Sequence, residues 1–117
     1  MKIALVDANP KSKLYNVGLL KIGAWRKSLG DKCKLFVNKL PRSGEFDEIW
    51  ISTIFTFNIP HHIKLAKKAQ FLCNRVLVGG IACSLLPEHF NGIEIHKGLL
   101  TQVELYSPDY SLLNKIP

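Results

Sequence analysis

Three short runs of unbroken apolar residues, Ile3-Ala4-Leu5-Val6, Ile49-Trp50-Ile51 and Val76-Leu77-Val78, constrain this chain more than any other feature. A strand with one wet face alternates apolar and polar side chains, whereas a strand covered on both faces reads as a continuous apolar run. The runs therefore predict central strands of a parallel sheet at residues 2–7, 49–52 and 75–79. Weaker runs at Cys33–Val37 and Ile93–His96 bring the expected number of strands to five.

Between the first two strands, Val17 to Leu29 carries helical periodicity. Val17, Leu20 and Ala24 share one face and Leu19, Ile22, Arg26 and Leu29 the adjoining one, with Asn16 able to cap the start and Gly30 to end it. A second helix is expected after Pro60, with Ile63, Ala66 and Ala69 facing the core opposite Lys64, Lys67 and Lys68. Strand, helix, strand, strand, helix, strand, short helix, strand is the resulting order. Right-handed crossovers then give a three-layer α/β sandwich, with a mainly parallel five-stranded sheet in the flavodoxin-like order 2-1-3-4-5. At 117 residues the chain suits one such domain. The division expected is a domain over residues 1–105 and an exit segment over 106–117.

The first residues form no long apolar stretch with a small-residue cleavage site, and no run of 18 apolar residues occurs. A cytoplasmic protein without a membrane partner is expected. Cys33, Cys73 and Cys83 would then stay reduced, and their odd number and spacing fit no disulfide framework, zinc site or iron–sulfur site. They read as buried structural thiols. Residues 1–44 hold ten basic and two acidic side chains, net +8, against six and seven in residues 45–117, net −1. One function class open to such a chain is a basic binding module for nucleic acid or an acidic protein, carried by Lys11, Lys13, Lys21, Arg26, Lys27, Lys32, Lys34 and Lys39. The alternative is a plain solvated lysine-rich face.

In an open parallel sheet, ligands bind beyond the carboxyl ends of the strands where strand order reverses. Three strand ends carry candidate residues: Asp7-Ala8-Asn9-Pro10-Lys11-Ser12, Ser52-Thr53-Ile54 and Gly79-Gly80. Each also has a purely structural reading, as turn residues, a strand terminator or a turn needing positive φ. A phospho-accepting receiver site is excluded, because Ser52 and Thr53 stand where its carboxylate would be needed. A mononucleotide phosphate loop is poorly served by a stretch containing Pro10, which has no N–H. His61 and His62 open the second helix near the ligand end of the sheet and offer a metal or cobalt ligand as one reading, but side chains about 100° apart do not chelate together easily, so they read as helix-terminal or surface groups; His89 and His96 are isolated and read as surface groups.

Taken together, Asp7-x-Asn9-x-x-Ser12, Ser52-x-Ile54 and Gly79-Gly80 resemble the Asp-x-His-x-x-Gly, Ser-x-Leu and Gly-Gly elements of cobalamin-binding domains. Asn9 takes the place of the histidine that would bind cobalt, and Ser12 the place of the loop glycine. The resemblance implies a histidine-off cobalamin site at Asp7, Asn9, Ser12, Ser52, Ile54, Gly79 and Gly80. Further stretches are similar to the N-terminal module of radical S-adenosylmethionine (SAM) proteins: Asn16-Val17-x-Leu19-x-Lys21-Ile22, Trp25, Gly30-Asp31, Phe55-Thr56-Phe57, Leu86-Pro87-Glu88 and Pro108-Asp109-Tyr110-Ser111-Leu112. That likeness implies a partner barrel, in cis or in trans, carrying the iron–sulfur cluster and S-adenosylmethionine. Its Cys-x-x-x-Cys-x-x-Cys triplet is absent from this sequence. The chain alone is expected to be non-catalytic, binding no cluster and cleaving no S-adenosylmethionine.

Overall fold

A computed structural model describes residues 1–8, 16–53, 59–80, 84–96, 103 and 105–116, the Lys115 side chain excepted. The strands are β1 (Lys2–Asp7), β2 (Lys32–Val37), β3 (Glu48–Ser52), β4 (Arg75–Gly79) and β5 (Glu94–Ile95); the helices are α1 (Val17–Ser28) and α2 (Ile59–Ala69). Short 3₁₀ segments occupy Pro87–Phe90 and Tyr110–Lys115. All strand pairs are parallel, in the order β2-β1-β3-β4-β5. The fold is the expected α/β sandwich of flavodoxin-like topology.

Strand side chains alternate between two apolar layers, so continuous apolar runs are required. Ala4, Val6, Ile49, Ile51, Val76 and Val78 pack with α2 through Ile59, Leu65, Ala66 and Ala69. On the opposite face, Ile3, Leu5, Leu35 and Trp50 pack with Leu19 and Leu20 of α1. The C-terminal segment joins this second layer through Leu112, which is 3% exposed.

Both helices are where the periodicity placed them, but their buried faces differ from expectation. On α1 the buried residues are Leu19, Leu20 and Gly23, while Val17 and Leu29 are exposed. Val17 is the first helical residue, and Leu29 lies past the helix end, where the chain turns through Gly30 at φ 92°. On α2, Ile63 is only half-buried, and the core face contains His62, fully buried, in addition to Leu65. His62 is therefore a core residue and not a surface group. Cys33 and Cys73 are half-buried rather than buried, and Cys83 lies outside the described residues. No helix among the described residues is long and apolar enough to cross a membrane.

Candidate functional site

A cavity of about 390 Å³ opens at the carboxyl edge of the sheet, on the α1 face. This volume lies within the ~300–1,000 Å³ range of small-molecule sites. On that face α1 covers β1 and β2, and the cavity lies beside it over the ends of β3 and β4. Its walls are Asn16, Val17, Gly18 and Ile22 of the α1 start, Trp50 and Ser52 of β3, Leu77 and Gly79 of β4 with Gly80 just after it, then His96 and Val103. The charged lining residue is Lys21, and no carboxylate is among the described lining residues.

Asn16 ties two of these walls together. Its Oδ1 accepts the Leu19 N–H at 3.2 Å, capping α1, while its Nδ2 donates to Ser52 Oγ at 2.9 Å. One amide side chain thus fixes the helix N-terminus to the end of β3. The β3 and β4 ends are knitted in turn, because the Gly79 carbonyl accepts both the Thr53 N–H at 2.8 Å and the Thr53 hydroxyl at 3.0 Å. Gly80 follows at φ 108°, so close to Thr53 that a Cβ there would collide with the Thr53 carbonyl oxygen. Gly79 is different: a Cβ there would meet nothing within 4 Å, leaving open space beside the sheet.

At the floor, Trp50 is held on several sides. Its indole N–H donates to Glu48 Oε1 at 2.7 Å, the Trp25 ring lies 6.3 Å away, and the Arg26 guanidinium sits 5.6 Å from the Trp50 ring centre. Arg26 is held by Asp31 at 2.6 Å. The terminal amino group, with help from Arg26, holds the Asp31 carboxyl below the usual carboxylate value. Asp31 and the terminal amino group lie at the amino edge of the sheet, where β1 and β2 begin.

Of the residues singled out by sequence, Ser52, Gly79 and Gly80 come together in the cavity wall. Asp7 is buried beside them, in register with Ser52, but does not line the cavity. Asn9, Ser12 and Ile54 lie outside the described residues. Sequence reasoning missed Trp50, Leu77 and His96 as lining groups, and saw Asn16 only as a cap. Alternation along the strands was the available signal, since Trp50, Ser52, Leu77 and Gly79 all point to the α1 face.

His61, paired with Asn38 Oδ1 at 2.7 Å, is not a lining residue. No cluster of His, Cys, Asp and Glu able to hold a metal ion occurs among the described residues. Burial pushes the Cys33 thiol up to about 11 and raises that of Cys73 as well, so neither is poised as a nucleophile. Comparison with models of known protein families, and with curated proteins, finds no match to this chain.

Proposed function

We propose that this chain is a non-catalytic binding domain whose cavity receives the flat, carbon-rich part of a cofactor, with histidine-off cobalamin as the ligand. The observation that carries the reading is the convergence of Ser52, Gly79 and Gly80 on one cavity with mainly apolar walls at the carboxyl edge of a parallel sheet. The residues fit such a ligand in two respects. Val17, Ile22, Trp50 and Leu77 offer apolar surface, and the bare Cα of Gly79 faces space that a side chain would fill. Ser52 and Asn16 supply polar contacts, and Lys21 suits a phosphate carried by the ligand. Cobalamin held here by Ser52, Gly79 and Gly80 would supply alkyl-transfer chemistry at its cobalt. This chain would hold and orient it for a catalytic partner, a radical S-adenosylmethionine barrel in cis or in trans.

Titration with hydroxocobalamin, followed by its visible absorbance, tests the reading. Binding in the tens of micromolar or tighter is expected, abolished by Gly79→Val and little changed by Asn9→Ala. Failure of the wild-type chain to bind, or binding indifferent to Gly79→Val, would falsify the assignment. A basic nucleic-acid or acidic-protein surface is less well supported, since Arg26 is stacked on two indoles and paired with Asp31, and Lys27 is paired with Asp109. Binding to a generic duplex that weakens steeply with salt would favour it instead.

A further inference from the structure

The α1 face of the sheet carries three things side by side: the C-terminal segment packed on β2, α1 over β2 and β1, and the cavity over β3 and β4. Helix α1 is therefore the partition between segment and cavity. Its apolar residues do not form one stripe. Leu19 and Leu20 are buried, Val17 and Ile22 line the cavity, and Gly23 accommodates the segment. A helix with apolar residues on several sides needs partners on several sides.

The segment grips this partition at several points. Leu112 fills the notch left by Gly23, where a side chain would collide with Leu112 Cδ1 and come within 3.3 Å of Leu5. The Asp109 N–H donates to the Leu20 carbonyl at 3.1 Å, and Lys27 Nζ meets Asp109 Oδ2 at 2.5 Å. At the far end of the helix, the Ser28 and Tyr106 hydroxyls are hydrogen-bonded at 3.1 Å. The Tyr106 N–H donates to the Val103 carbonyl at 3.0 Å, and Val103 is itself a cavity wall. The described residues of the segment therefore touch α1 on the side away from the cavity and connect to the cavity as well.

We propose that Leu112 and Asp109 are positioning residues of the cavity: docked on one flank of α1, they set how far its other flank, Val17 to Ile22, stands from Trp50 and Ser52. The proposal rests on reading the cavity as the binding site, but α1 seating can be measured without a ligand. Leu112→Ala removes the buried knob, and Leu112→Met keeps most of its volume. In the full chain, Leu112→Ala should raise amide hydrogen exchange over residues 17–22 by about tenfold or more while β1 and β3 amides stay as in wild type. Acrylamide should quench tryptophan emission more strongly in that variant, because Trp50 lines the cavity. Leu112→Met should restore both readouts.

Unchanged exchange in α1, or α1 and sheet amides rising together, overturns the proposal, since the second is general destabilisation. Where Leu112→Ala yields no folded protein, Asp109→Ala takes the same measurements against the same criteria. Hydroxocobalamin affinity should fall in the variants that loosen α1. An affinity unchanged despite a loosened α1 removes the positioning role. A wild-type chain that takes up no hydroxocobalamin, with α1 still loosened in the variant, removes the cobalamin reading and leaves the positioning of α1 standing.

Discussion

A methyl group added at Gly79 would meet nothing within 4 Å, whereas one added at Gly80 would collide with the Thr53 carbonyl and carry φ 108° besides. Gly79→Ala should therefore leave the melting temperature close to that of wild type. Gly80→Ala should lower stability by at least about 2 kcal/mol, from a strained backbone and a steric clash together. Urea unfolding of the two variants checks the contrast, and equal losses would contradict the geometry. The same scale of argument applies to Cys33. With its pKa at about 11, only about one thiol in a thousand is ionised at pH 8. Alkylation of Cys33 by iodoacetamide should thus be far slower than that of an unfolded control, and comparable rates would refute the assignment.

Helix α1 begins at a single amide that performs two tasks. Asn16→Ala removes both and should cost about 1 kcal/mol through loss of the cap. Asn16→Asp keeps an oxygen for the Leu19 N–H but loses the donor to Ser52, so it should retain most of the stability lost in the alanine variant. Thermal unfolding of the pair measures this, and an aspartate variant as unstable as the alanine one would place the main contribution in the Ser52 bond. Helix existence and strand positions were legible because apolar runs and 3.6-residue periodicity are local signals. The buried faces were less so. Gly23 reads as a weak helix residue until Leu112 is seen beside it, 89 positions along the chain. His62 reads as a surface histidine until α2 is turned against the sheet. For the site, Ser52, Gly79 and Gly80 could be read from strand ends alone. Trp50 and His96 could not, because their role depends on which face is left beside α1 and on how β5 sits against β4.

Across the whole molecule, ionic contacts predict the response to acid. The Arg75 hydrogen bond lowers the Glu94 carboxyl, and the amino-terminal group lowers Asp31. Burial raises that of Asp109, but its bonds from Lys27 and Ser111 outweigh this and leave it lowered. A carboxyl with a lowered folded value binds protons more readily in the unfolded chain. Its contribution is therefore complete above the ordinary values of 3.8 for Asp and 4.5 for Glu, and is lost as pH falls through the lowered values. These pairs should add no pH dependence to the denaturant midpoint from pH 7 to about 5 and should lower it below that, less steeply at high salt because they are near the surface. A midpoint that rises on acidification would contradict the assignment. The sheet itself ends unequally: β1 meets β2 over six residue pairs, but β4 meets β5 over only two. His96 stands just beyond that short ladder, its N–H on the Val78 carbonyl at 2.8 Å, whereas the opposite cavity wall is α1, gripped by the C-terminal segment. The cavity thus lies between a helix wall fastened along its length and the shortest ladder of the sheet, so the two walls are held by very unequal numbers of bonds.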